Sequence, residues 1–360
     1  MFSYDTSEYE YFGDKILQSD IEELMNGDIP FKKFDNKVVL ITGATGLIGS
    51  QIVKLLACVN RKQNINVRIL AMVRDYEKAQ RVLNNVLYHD NIQLIYGDIL
   101  EDIPCEESVD YIIHTASATS SLFFIKHPVE TIDIIINGTK NILEFAKEKK
   151  VHSMIYISSL EVYGIPIVNS PIDETSYGYI DPLQVRSSYS EGKRMAECLC
   201  CSYAEEYGIP VKIVRLSQTF GAGVEYNDTR VFAEFARCAI EKRDIILHTA
   251  GNTVRTYCYT KDALAAILLV LLKGKNREAY NVTNENTKIS IRDMAFLVCN
   301  LVKSSKIKVV FDRSSDVSMY GYNPEMIIAL NTDKIKALGW HPTVDLPEMF
   351  CRLISSMSKK

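Results

Sequence analysis

The sequence predicts an α/β protein built on a doubly wound parallel sheet, with a smaller mixed α/β lobe at its C-terminal end. Three observations carry that prediction. From Lys37 onward short β-branched runs alternate with amphipathic stretches, the first run leads straight into a glycine-rich turn, and the alternation weakens beyond about residue 220. The chain has 360 residues, 47% hydrophobic and 24% charged, which suffices for one large core or two modest ones. Intrinsic disorder, a collagen-like repeat and a small disulfide scaffold are excluded on that composition.

Residues 1–36, rich in Tyr, Asp and Glu, read as an N-terminal extension with one short helix, for which Ser19 and Glu22 supply a capping box and Gly27 a stop. Strands are expected at 38–42, 67–73, 92–96, 111–114, 154–158 and 211–216, and helices at 51–59, 131–149, 189–207 and 231–242. Residues 37–220 thus form a dinucleotide-type domain. Residues 221–360 supply most of the second lobe and interleave with the sheet around 252–275. Ser290 with Asp293 caps a helix running to Val302, and a stretch at 320–324 leads to Leu338-Gly339-Trp340, where Trp340 is expected to pack the lobe.

Lys and Arg total 41 against 45 Asp and Glu, a net charge of -4, so no basic field is available for a nucleic-acid backbone. The longest uncharged apolar run, 263–272, is half the roughly 20 residues needed to cross a bilayer. It reads as a buried helix. The first ten residues carry Asp5, Glu8 and Glu10 and do not resemble a secretory signal, so a cytoplasmic location is expected. Nine scattered Cys, three of them at 198, 200 and 201 on one helix, read as reduced core thiols and not as a metal site.

The first strand enters Gly43-Ala44-Thr45-Gly46-Leu47-Ile48-Gly49 and then a helix. A turn so tight needs residues without side chains, so that backbone N–H groups and the helix N-terminus approach a pyrophosphate. The strand–turn–helix context identifies a Rossmann-type dinucleotide site. At the end of the second strand an acid would bind the ribose hydroxyl of NAD, whereas an Arg suits the 2′-phosphate of NADP. Val73 followed by Arg74 favours NADP(H), and Asp75 keeps NAD(H) open.

Tyr189 and Lys193 stand four apart on one helix. A cation beside a phenol favours the phenolate and suits the Tyr to move a proton near neutral pH. Ser159, at the carboxyl end of the 154–158 strand, brings a hydroxyl to the same edge.

Together with Gly97-Asp98-Ile99, His114-Thr115-Ala116, Ser159-x-x-Val162-Tyr163-Gly164, Arg255-x-Tyr257-x-Tyr259-x-x-Asp262 and Leu338-Gly339-Trp340, these motifs resemble the extended short-chain dehydrogenase/reductases, in particular the nucleotide-sugar epimerase/dehydratase group. The likeness spans residues 37 to about 350, and the stretch from Arg186 to Glu197, with Asn227-Asp228-x-Arg230-Val231, is most similar to UDP-glucuronate decarboxylases. The resemblance implies Tyr189 as base, with Lys193 and Ser159 beside it and Glu161 as a further carboxylate. It implies Asp98 and Ile99 along the adenine, Ala116 near the cofactor ribose, Thr119, Gln218, Arg230 and Arg255 on the substrate, and a homodimer formed through the Tyr189 helix. A role in polysaccharide precursor supply follows from the family alone.

Four departures matter. Where the 4,6-dehydratases carry an acidic pair after the Thr, this chain has Ser159-Leu160-Glu161, and Leu160 cannot donate a proton. The family's Asn before Thr219 is Gln218, and its Asn three residues before Gly138 is Ile135. The run 117–121 replaces a Pro-containing loop of the decarboxylases, so their carboxylate specificity is not carried over. Three functions follow: an epimerase, decarboxylase or variant dehydratase that recycles its cofactor; a net NADPH-dependent reductase of a nucleotide-linked keto-sugar or polyol precursor; and a non-catalytic NAD(P) sensor, which an intact Tyr189 and Lys193 disfavour.

Overall fold

The computed structural model describes residues 13–166, 171–302, 306–312 and 325–358; the expected connection at 320–324 lies outside them. In chain order its first half comprises α1 (Lys15–Met25), β1 (Lys37–Thr42), α2 (Leu47–Gln63), β2 (Val67–Val73), α3 (Tyr76–Leu83), β3 (Ile92–Tyr96), β4 (Tyr111–His114), α4 (Ser121–Lys126), α5 (Pro128–Lys149) and β5 (Ser153–Ser159). A 3-10 turn, Leu160–Tyr163, follows β5. Then come α6 (Ser187–Tyr207), β6 (Val211–Leu216), β7 (Gln218–Phe220), α7 (Val231–Glu241), β8 (Ile245–Leu247), β9 (Val254–Tyr259) and α8 (Thr260–Lys273). The chain closes with β10 (Ala279–Val282), β11 (Asn284–Ser290), α9 (Ile291–Leu301), β12 (Val309–Phe311), β13 (Ile327–Ile328), α10 (Asp333–Lys336) and α11 (Leu346–Met357).

Seven strands pair in parallel in the order β10-β6-β5-β4-β1-β2-β3. Central strands covered on both faces need apolar residues at successive positions, and in β2 the five residues from Ile69 to Val73 are all apolar and buried. The strand order reverses between β1 and β4, which opens a crevice at the carboxyl ends of the strands. One face of the sheet is covered by α1, α2 and α8, the other by α5 and α6. From beyond residue 220, α8 and β10 return to this sheet; β7, β9, β11 and β13 form a second sheet, β8 and β12 pair separately, and α7, α9 and α11 pack there around a core of their own. The capping box of α9 is present, with Ser290 Oγ accepting from the Asp293 N–H at 3.0 Å.

Two expectations change. The N-terminal helix starts before Ser19: its cap is Asp14, whose carboxylate accepts the Ile16 and Leu17 N–H groups, and Ser19 lies inside the helix and donates to Glu23. Trp340 packs the main core and not the lobe, its indole N–H donating to the Asp262 carbonyl at 2.9 Å. The thiols also divide. Cys200 is core, whereas Cys198 and Cys351 are exposed, and all nine cysteines are free.

The α1 helix is fastened to the body through a buried carboxylate. Asp20 accepts from the Tyr259 hydroxyl at 2.6 Å and from Arg352 at 2.6 Å, yet burial outweighs both and pushes its pKa up to about 6. The native state therefore holds a proton here that the unfolded chain releases near pH 4, and this contribution to stability declines as pH rises from about 4 to about 6. Thermal melts across that window are expected to show Asp20→Asn gaining on the wild type as pH rises, by about 2–3 kcal/mol in all; parallel curves would contradict the assignment.

Candidate active site

The glycine loop is built as the pyrophosphate reading requires. Gly43 has φ +65°, and a Cβ there would come within 2.8 Å of the Ala116 backbone. Gly46 is the cap residue of α2 and supplies no side chain to its N–H groups. A Cβ on Gly49 would stand 2.4 Å from the Gly43 carbonyl oxygen. Thr45, Leu47 and Ile48 flank these positions at partial exposure, and Ala116 closes the far wall, its N–H donating to Thr42 Oγ1 at 3.3 Å. The cradle fits a dinucleotide: its exposed helix N-terminus is left free of side chains.

Just after β3, Asp98 accepts from the Leu100 N–H and pairs with Arg74 at 3.2 Å, while Ile99 sits against Gly138 so closely that a Cβ there would fall 2.5 Å from its Cδ1. Asp75 is spent on capping α3, accepting the Lys78 N–H at 2.8 Å. No acid therefore replaces Val73 at the strand end.

The strand β5, the 3-10 turn after it and the helix α6 assemble the chemical groups. Tyr189, Lys193 and Ser159 come together as the sequence implied. Tyr189 is buried, stacked at 4.2 Å and 13° on Phe124 of α4, and Arg186 lies 4.8 Å over the other ring of that stack. Lys193 Nζ donates to the Ile157 carbonyl at 2.8 Å and sits 4.7 Å from the Tyr156 ring centre but 5.8 Å from that of Tyr189. The expected lowering of the phenol pKa is not seen in the protein alone. Burial pushes Tyr189 well above its ordinary value and Glu161 pushes it further, against Ser159, Arg186 and Arg230. Burial also drives Lys193 down, to about 7, so its own charge is in play near neutrality.

Glu161 is held by Arg186 Nη2 at 2.8 Å and accepts from Ser190 Oγ at 3.1 Å. Burial alone would raise its pKa; Arg186, with Arg255 and Ser190, outweighs burial and lowers it. The group is thus a carboxylate at neutral pH, able to accept a proton and not to supply one. Leu160 beside it is buried among Val162, Tyr163, Ile172, Ile328 and Leu330. Ile135 is buried against Gly192, so an apolar contact stands where the resemblance implies a polar group.

The residues expected on the substrate are less uniform. Arg255 lies on β9, close enough for its charge to act on Glu161, and its Nε is buried without a partner among the described residues. Arg230 is clamped by Asp228, with contacts at 2.5 to 3.1 Å, which occupies part of its fork. Gln218 opens β7 half-buried, and Thr119 is exposed on the loop before α4. Arg186, whose Nε and Nη1 are also buried without partners, is a site residue to which sequence reasoning gave no role. Its position three residues before Tyr189 was the available signal. Phe124 had none, because its contact with Tyr189 is made across two helices.

A glycine cradle at the switch point of a parallel sheet, with a Ser at the end of an adjoining strand and a Tyr and a Lys on the helix packed against it, defines a dinucleotide-dependent short-chain dehydrogenase/reductase of the extended type. The chain belongs to the NAD dependent epimerase/dehydratase family, whose model matches residues 39–283. It is 31% identical over 315 residues to UDP-glucuronic acid decarboxylase 6 of Arabidopsis thaliana, covering 87% of this chain and 86% of the relative. With the dTDP-D-glucose 4,6-dehydratase of Homo sapiens it shares 30% over 318 residues, 87% of either chain. The fold superposes on the dTDP-glucose 4,6-dehydratase of Streptomyces venezuelae, solved with NAD bound, at a TM-score of 0.74 with 22% identity, covering 88% of this chain and 95% of that one. It is an NAD(P)-dependent enzyme of the nucleotide-sugar epimerase/dehydratase group. No helix among the described residues is long and apolar enough to cross a membrane, and no group of His, Cys, Asp or Glu among them would hold a metal ion.

Proposed function

We propose that this enzyme modifies the sugar of a nucleotide diphosphate sugar by internal oxidation and reduction, with Tyr189 exchanging the proton of a sugar hydroxyl. The observation that carries the reading is the convergence of Tyr189, Ser159 and an ionised Glu161 beside the glycine cradle, with unpartnered N–H groups of Arg186 and Arg255 around that carboxylate. A nicotinamide dinucleotide held by Gly43, Gly46 and Gly49 supplies the hydride acceptor and donor. Burial keeps the Tyr189 phenol protonated in the protein alone; the positive charges of Lys193 and of a bound oxidised nicotinamide would oppose that burial, so that Tyr189 takes and returns the proton at its hydroxyl oxygen while Ser159 orients the same substrate oxygen. Glu161 abstracts a proton beside a carbonyl or orients the ring. Arg255, with Arg230, binds the diphosphate, for which a planar guanidinium with open donors is suited. Because Leu160 supplies no acid, simple loss of water is disfavoured, and epimerisation or decarboxylation fits the groups present. The two curated relatives above are a decarboxylase and a dehydratase, which supports this class of reaction.

A second reading, net reduction by NADPH, is favoured by Val73 and Arg74 at the end of β2. Identification of the nucleotide released on denaturation separates the two. Tightly held NAD(H) that does not exchange supports the recycling enzyme, and an open site that takes up NADPH reversibly supports the reductase. Arg74→Ala is expected to weaken NADP binding about tenfold, the loss of one charge-assisted contact, and to leave NAD nearly unchanged; equal losses measured by calorimetry would overturn the role of Arg74.

A further inference from the structure

The helix α6 buries a third ionisable group in line with the first two. Tyr189, Lys193 and Glu197 follow one another at successive turns on its buried face. The end of β5 answers each with one of three consecutive residues: the Ser159 hydroxyl faces Tyr189, the Ile157 carbonyl accepts from Lys193, and Ser158 Oγ donates to Glu197 at 2.6 Å. Glu197 is 6% exposed and its only cationic hydrogen-bond partner among the described residues is Arg215, 1% exposed, on the neighbouring strand β6. All five N–H donors of that guanidinium are used: Nε and Nη2 on the carboxylate at 2.9 and 2.6 Å, the others on the hydroxyls of Tyr163 and Tyr177 and the carbonyl of Glu174. Tyr163 belongs to the same 3-10 turn as Glu161 and donates onward to Asn281 at 2.6 Å. One buried ion pair therefore links the catalytic helix, the Glu161 turn and two strands of the sheet.

We infer that Glu197 is a positioning residue for proton transfer: fixed by Ser158 and Arg215, its carboxylate is the buried counter-charge that keeps Lys193 cationic beside Tyr189. This rests on the proposed role of the Tyr189–Lys193 pair. The groups facing Lys193 are few. Its own helix presents Tyr189, Glu197 and Cys200, β5 presents Tyr156, and β4 presents His114, which burial holds down at about 3 and therefore neutral. The α5 side offers Ile135, which packs against the neighbouring Gly192. Glu197 is thus the one carboxylate opposing the burial that lowers Lys193. A structural ion pair elsewhere in the core would hold strands together without touching that protonation equilibrium.

The test follows Lys193 directly, in the full-length protein labelled with 13C at the lysine ε-carbon, the signal being assigned by its loss in Lys193→Met. The wild type is expected to titrate near neutral pH. In Glu197→Gln, which keeps the shape of the side chain and removes its charge, the midpoint is expected about one pH unit lower, a tenfold change in the protonation equilibrium. Glu197→Asp is expected to restore most of it. Should an unpaired Arg215 prevent folding, the paired replacement Glu197→Gln/Arg215→Gln leaves no lone buried charge and is expected to show the same fall. An unchanged midpoint in the folded single or paired variant overturns the inference. Because the titration needs no substrate, its outcome is separate from that of the functional reading, which fails if Tyr189→Phe retains turnover.

Discussion

Replacing Tyr189 with Phe lowers kcat by roughly 10²–10⁴-fold, the contribution usual for a positioned proton-transfer group, and leaves dinucleotide affinity within about twofold. The ring is kept, so its stack on Phe124 and its place against the core survive; only the hydroxyl that meets Ser159 is lost. That separation of chemistry from binding is what distinguishes an acid–base role from a structural one. Turnover of nucleotide sugars by the variant at the wild-type rate, with calorimetry showing normal cofactor binding, would refute the assignment.

Gly49→Ala has the other large effect, at the opposite end of the site. The new Cβ meets the Gly43 carbonyl oxygen at 2.4 Å and Ala44 Cα at 3.0 Å, both backbone atoms of the turn itself, so no flexible side chain can give way. Forcing such an atom into a packed position costs about 1–3 kcal/mol, and because the displaced turn is the one proposed to receive the pyrophosphate, dinucleotide affinity is expected to fall about 10–100-fold. The melting temperature falls with it. A fluorescence titration with NADH that gives the wild-type affinity would show that the loop does not hold the cofactor.

Much of the fold was legible in the chain because its signals are local. Strands such as Val67–Val73 and Val211–Leu216 are largely buried stretches rich in Val, Ile and Leu whose limits follow from the turn residues around them, and the cradle is written in three glycines. The first helix misled because a Ser-x-x-Glu pattern at 19–22 mimics a cap, whereas the true cap, Asp14, is also held by Ser356 from the far end of the chain. Trp340 likewise reads as a lobe residue until α8 brings Asp262 to it.

The site divides in the same way. The spacing of Tyr189 and Lys193 is a property of one helix and was readable; the direction in which each titrates is not, because it depends on burial set by α4, α5 and the sheet. A cation four residues away suggests a lowered phenol pKa, yet Lys193 turns to the Ile157 carbonyl and the Tyr156 ring, and desolvation dominates at Tyr189. Arg186 and Arg215 show the limit most clearly. Each acquires its role from a carboxylate elsewhere in the fold, Glu161 for the one and Glu197 for the other, 25 and 18 residues away in sequence.

The most direct test of the central claim is to incubate the cofactor-loaded protein with UDP- and dTDP-linked hexoses and hexuronates, following the reduced-nicotinamide absorbance and the sugar by proton NMR. The account predicts that at least one of these sugars is altered while its nucleotide stays attached, with a transient rise of the absorbance that Tyr189→Phe abolishes. A chain that binds neither NAD(H) nor NADP(H), or that turns over such a sugar equally well without Tyr189, would contradict it.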